Sequence, residues 1–279
     1  MTALASVRAQ AEITQDTMAT AGSSGGTPAS LSWSHTVQAG GQVYLVVALS
    51  FRVDNNANGA GAATYTSGIT ANGTPMTCAV AIADNGTGSC GSGGTAGGSG
   101  EPYLRSEIWY LSLGSIGAQT TESVVATLHV ANSANGSAIA ATSITYFGVS
   151  GLKSGGDAYS NGGQFASTSA SLAVTATQNQ MVVSNLAIPR SSTSAASTPN
   201  ASISDISGAA DFDYTQDATS SASGSNPTMG WTWTGAAPYA LTAAVLTAAP
   251  PARRGQVIMG SANQPCSEAS AVEVARLDR

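Results

Sequence analysis

The stretch Tyr44-Leu-Val-Val-Ala-Leu-Ser-Phe51 is apolar at seven of its eight positions. Side chains alternate between the two faces of a strand, so a run apolar on both faces suits a central strand covered on each side. On either side of it the apolar residues recur at every second position, and Asn-Gly or glycine-rich punctuation cuts the chain into short units. The strands expected are Leu31–Val37, Gln42–Val53, Ala63–Ile69, Pro75–Ala83, Ser106–Leu113, Glu122–Ala131, Ile139–Val149, Ser169–Thr175, Gln180–Ile188, Ala210–Gln216, Thr228–Thr234 and Pro238–Thr247. Turn signals separate them at Asn55–Gly61, Asn72–Gly73, Asn85–Gly100, Asn132–Gly136, Gly155–Gly163 and Ser191–Asn200.

About a dozen strands with no convincing internal helix predict an all-β fold: a two-sheet antiparallel β-sandwich of jelly-roll-like topology. Alternation also selects its anchors. Leu31, Trp33, His35 and Val37 share one face of their strand, and Trp231 and Trp233 share one face of theirs. With Trp109, these tryptophans are the expected core anchors. Residues 28–248 make the sandwich. Residues 1–27 have weak periodicity and end in a glycine-rich run, so they read as an extended N-terminal arm. Pro250-Pro251 closes the body, and residues 249–279 form a C-terminal tail in which Ser267 would cap a short helix over Glu268–Leu277.

Composition excludes several roles. Only 9% of the 279 residues are charged, against about 25% in an average soluble domain, so Ser, Thr, Asn and Gln must wet the surface. Nine basic against 15 acidic residues give a net charge of -6, and Lys153 is the single lysine. Binding to a phosphate backbone needs clustered cations, so nucleic acid is not an expected partner. No run of about 18 apolar residues exists, so no membrane span is expected. Residues 1–15 lack the basic start, apolar block and cleavage site of a signal peptide.

The chemistry on offer is sparse. Gly86-Thr-Gly-Ser-Cys-Gly91 matches a dinucleotide fingerprint but runs on into more glycine instead of a helix, and Gly22-Ser-Ser-Gly-Gly26 has the spacing of a nucleophile elbow without the elbow. His35, on the apolar face beside Trp33, reads as a hydrogen-bonded core histidine. His129, between Leu128 and Val130, should point away from the apolar face. Asp205, Asp211, Asp213 and Asp217 cluster in sequence, and Asp211, Asp213 and Asp217 are the candidate calcium ligands, against the plainer reading of a solvated strand face. No other cofactor is expected and no catalytic set is assembled, so the chain reads as a non-enzyme. Cys78, Cys90 and Cys266 have no zinc-ligand spacing. A Cys78–Cys90 disulfide would clasp the glycine-rich loop, but free thiols are the simpler reading. Four Asn-x-Ser/Thr sequons, at Asn72, Asn85, Asn135 and Asn200, are what chance supplies in so Asn- and Ser-rich a chain.

The strand texts Ser32-Trp-Ser-His-Thr-Val37, Tyr44 to Phe51, Glu107-Ile-Trp-Tyr-Leu111, Ile144-Thr-Tyr-Phe-Gly-Val-Ser-Gly151, Met181-Val-Val-Ser-Asn-Leu-Ala-Ile188 and Trp231-Thr-Trp-Thr-Gly through Leu246 resemble, in this order, a jelly-roll-like β-sandwich module recurring in tailed-phage virion proteins and bacterial surface proteins. The resemblance spans about Pro28 to Ala248. It implies a non-catalytic virion protein, a capsid decoration or head fibre or a tail-associated protein. Such a protein would be assembled in the host cytoplasm and displayed on the virion surface, and would contact other virion proteins or copies of itself as a homo-oligomer. The alternative is a carbohydrate-binding or adhesin module meeting a host-surface glycan. Tyr65, Tyr103, Tyr159 and Tyr239, in or near loops, are the candidate stacking residues.

Overall fold

The computed structural model describes residues 12–24, 30–53, 65–93, 103–129, 137–153, 158–177, 179–189, 194–196, 201–206, 211–219 and 226–250. Within them every regular element is a β-strand, and every strand pairing is antiparallel. The fold is all-β.

Three sheets carry the described strands. The central one runs, in spatial order, β1 (Thr14–Ser24), β9 (Ser137–Phe147), β3 (Gly40–Val53), β7 (Tyr103–Ile116) and β6 (Thr77–Ala83). A second runs β10 (Val149–Leu152), β16 (Thr228–Ala248), β12 (Gln180–Pro189), β15 (Asp211–Thr219) and β14 (Ala201–Ile206), with β11 (Ala158–Ala173) and β13 (Ser194–Ala196) also paired to β16. The third is β2 (Ser30–Val37), β8 (Thr120–His129), β4 (Tyr65–Ala71) and β5 (Thr74–Pro75).

The doubly apolar text of β3 explains this layering. Leu45, Val47, Leu49 and Phe51 pack with Leu31, Ile69, Ala71, Val124, Ala126 and Leu128 of the third sheet. Val46, on the opposite face, joins Ile108, Ile144 and Tyr146 against Met181, Val183, Ala244 and Leu246 of the second sheet. The central sheet therefore has an apolar layer on each side, and the sandwich pairing expected of two sheets recurs on its other face. Burying one such side chain contributes roughly 1.5–3 kcal/mol, which sets β3 as the strand the rest is built around.

Turns fall where the backbone allows them. Asn72 and Gly73, with φ of 46° and 79°, form the two-residue loop between β4 and β5, the left-handed geometry that Asn-Gly tolerates. Gly148 carries the chain from β9 to β10, between sheets. Its φ is +72°, and a Cβ there would lie 2.7 Å from the carbonyl oxygen of Glu12.

Several boundaries differ from expectation. Residues 14–24 of the arm form β1, whose Met18 lies opposite Ile144 of β9. The expected Gly155–Gly163 turn runs into β11, where Gly162 and Gly163 pair with Ala240 and Tyr239. The two strands expected over 228–247 are one, β16, whose pairing with β11 slips in register opposite the Gly235–Pro238 stretch instead of ending there. Strands β13 and β14 have no counterpart among the expected ones. The tail beyond Pro250, with its expected helix, lies outside the described residues, as do residues 1–11 and 25–27 of the arm. No helix in the described residues is long and apolar enough to cross a membrane.

Candidate functional site

Strand periodicity brings Tyr103, Arg105, Glu107 and Trp109 onto one face of β7, where they form a buried polar network. Arg105 is fully buried and Glu107 is 1% exposed. Arg105 Nε donates to Glu107 Oε1 at 2.5 Å, and Trp109 Nε1 donates to Glu107 Oε2 at 2.7 Å. Arg105 Nη2 donates to the backbone carbonyl of Ser89 at 2.7 Å, Nη1 reaches Tyr103 Oη at 3.4 Å, and Thr66 N donates to Glu107 Oε1 at 3.4 Å. Burial alone pulls the Arg105 pKa down, but Glu107 and Tyr103 together outweigh it and hold the guanidinium above its ordinary value. The pair is a buried charge made tolerable by its partners. Its sequence signal is a pair of opposite charges two residues apart within a strand, with Trp109 two residues further on, a signal that alternation alone does not single out.

A second network surrounds His35, which is fully buried between β2 and β9. Ser143 Oγ donates to the carbonyl of Ala19 at 3.2 Å and accepts from Trp33 Nε1 at 2.9 Å. His35 Nδ1 lies 2.8 Å from the same oxygen, so Nδ1 carries the proton. Nε2 then accepts from Thr145 Oγ1 at 2.5 Å, with Thr17 Oγ1 at 3.3 Å. Thr17 also donates to the Thr36 carbonyl, which ties β1 to β2. Burial pushes the imidazole pKa down to about 4 against an upward pull from Asp16. The serine beside this histidine is no nucleophile: its proton goes to Ala19 and its oxygen is buried under two donors. His35 is the hydrogen-bonded core histidine its position implied.

Between the central and second sheets, Asn185 Nδ2 donates to the Leu49 carbonyl, Ser50 Oγ and Ser106 Oγ at 2.9–3.0 Å. Ser106 Oγ also lies 2.9 Å from the Asn185 carbonyl and 2.8 Å from Thr242 Oγ1. This cluster fixes the two sheets in register.

The sequence-predicted residues divide among the networks. Trp109, Trp231 and Trp233 are buried anchors, while Trp33 is half-buried and bonded to Ser143. Tyr103 is buried against Phe51, ring centroids 6.3 Å apart, and Tyr239 is buried against Trp233 at 5.6 Å. Neither offers a free ring to a sugar, which corrects their assignment as exposed stacking residues. Tyr65 is half-buried and lies parallel to the exposed His129, centroids 4.7 Å apart. Tyr159 sits on β11 opposite Ala243, its side chain outside the described part. The candidate calcium ligands Asp211, Asp213 and Asp217 occupy the β15 positions opposite Pro189, Ala187 and Val183, and Asp205 lies on β14 opposite Tyr214. Their side chains too are outside the described part. No group of three or more His, Cys, Asp or Glu residues suited to a metal occurs among the described residues. Cys78 and Cys90 form a disulfide, so the free-thiol reading is corrected. Pairing of β6 with β7 sets Cys78 where the returning loop brings Cys90, a proximity that sequence spacing does not encode.

Comparison with known proteins returns no match. No family model, no curated protein and no solved structure resembles the chain closely enough to align with it.

Proposed function

We propose that the chain is a non-catalytic structural protein of a phage virion, a capsid decoration or head fibre or a tail-associated protein, held by contacts of its arm, tail and sheet edges. One observation carries the assembly role. The outermost strands of the three sheets, β1, β6, β10, β11, β14, β2 and β5, contain no lysine or arginine, and Pro75 of β5 is their single proline. Exposed edges template pairing with other chains, and proteins that stay apart guard them with such residues. Edges that lack lysine and arginine, with Asp16 and Asp205 as their acidic side chains, suit a protein whose neighbours cover them. The buried ionisable groups agree with this role, since Arg105, Glu107 and His35 are all consumed in holding strands together. The phage setting rests on the resemblance of the strand texts.

Quantitative mass spectrometry of purified particles, with antibody labelling under the electron microscope, tests the reading. It requires the chain in many copies at one place on the particle. A chain abundant in the lysate yet missing from particles overturns it.

A further inference from the structure

The segment Ser89–Gly93 lies beside the buried Arg105. Its Ser89 and Ser92 bond mainly to each other: their backbones exchange hydrogen bonds at 3.0 and 3.4 Å, and their hydroxyls lie 2.8 Å apart. Among the described residues, two links tie it to the body. One is the Cys78–Cys90 disulfide to β6, and the other is the hydrogen bond from Arg105 Nη2 to the Ser89 carbonyl. The preceding turn is anchored separately, through Ala83 N to the Thr87 carbonyl, Gly86 N to the Ala83 carbonyl and Asp84 N to the Leu104 carbonyl. Asn85 Oδ1 adds bonds from Thr87 N at 3.0 Å and Thr87 Oγ1 at 2.6 Å. The hydrogen bonds of this turn do not run through the disulfide, and residues 89–93 do not share them.

We propose that Ser89–Gly93 is a redox-latched lid over the Arg105–Glu107 pair, closed by the Cys78–Cys90 bond and opened when that bond is reduced. Cys90 is an exposed residue, which puts its end of the disulfide at the molecular surface where a thiol reductant meets it. Exchange with a dithiol leaves two cysteine thiols and an oxidised, cyclic reductant, so the electrons balance. With the covalent link gone, one hydrogen bond remains to hold the lid to the body, and it does not offset the conformational entropy that the freed segment regains. Arg105 then loses its carbonyl partner while keeping Glu107. An edge of the guanidinium, sealed in the disulfide form, becomes available to water and anions.

The test uses the full chain. Modification of Arg105 by a dicarbonyl reagent is followed by mass spectrometry with and without dithiothreitol, with backbone amide exchange of β3 and β12 read in the same samples. The lid predicts modification at least about tenfold faster after reduction, the same rise in a Cys90→Ser variant without reductant, and unchanged protection of β3 and β12. Equal protection of Arg105 in both states overturns the latch. Loss of protection throughout β3 and β12 also overturns it, because the bond would then support the fold instead of closing a lid.

Discussion

A buried histidine that stays neutral is a source of acid sensitivity. The His35 pKa stands at about 4 in the folded chain and near 6.5 when unfolded, so the folded form binds fewer protons between those values. Its contribution is intact above pH 6.5 and is lost progressively as pH falls toward 4, by about 1.4 kcal/mol per unit and about 3 kcal/mol in all. Urea unfolding across this range should show that loss, and a His35→Gln variant should remove most of the slope. A slope unchanged in the variant assigns the acid sensitivity elsewhere. The Arg105–Glu107 pair behaves differently. Arg105→Met or Glu107→Leu alone leaves one buried charge and should cost about 3–5 kcal/mol, whereas both together should recover most of it. A double-mutant cycle by denaturation measures this coupling. At this scale the sequence spoke unevenly. His35 and the tryptophans could be placed from one strand's alternation, whereas Arg105, Glu107 and the disulfide depend on which strand lies alongside, information that period two does not hold.

Strands were legible where their own residues decide them. The text of β3 predicts a strand covered on both faces, and Leu49 and Val46 have those two environments. The text of β1, Thr-Gln-Asp-Thr-Met-Ala-Thr-Ala-Gly-Ser-Ser, has small residues and little alternation, and it is a strand because β9 offers a partner edge. Pro238 looked like a strand boundary, yet the β11–β16 pairing slips past it with a change of register, the irregularity that lets a sheet accommodate proline. Between elements, Gly148 is the position with least latitude. Gly148→Ala combines a positive φ with a contact on the Glu12 carbonyl, and should lower stability by about 1–3 kcal/mol, read as a shift in melting temperature. Gly73→Ala, with positive φ but open space around it, should cost less.

On the scale of the whole molecule, the shared central sheet couples both apolar layers. Leu49→Ala weakens the layer toward the third sheet and Val183→Ala the layer toward the second, with about 2–5 kcal/mol expected for the leucine. Because β3 serves both layers, each change should move one common transition. Circular dichroism and tryptophan fluorescence should report coincident midpoints in each variant. Separate midpoints would mean that the layers melt independently. Asn185→Ala belongs to the same scale, since it removes the buried hydrogen bonds that Asn185 Nδ2 gives to the Leu49 carbonyl and to the Ser50 and Ser106 hydroxyls. A loss of about 1–3 kcal/mol is expected.

The pairing of β1 with β9 also constrains how the chain is made. Ala19 and Ser143, bonded across these strands, are 124 positions apart, so β1 has no β9 edge to pair with until the chain has been made through β9. Long-range pairing of this kind closes late and slowly. Until then β1 is a bare, threonine-rich ribbon, and β3 has only β7 beside it. Slow growth temperatures and holding chaperones should therefore raise the soluble yield more than any change to the mature surface.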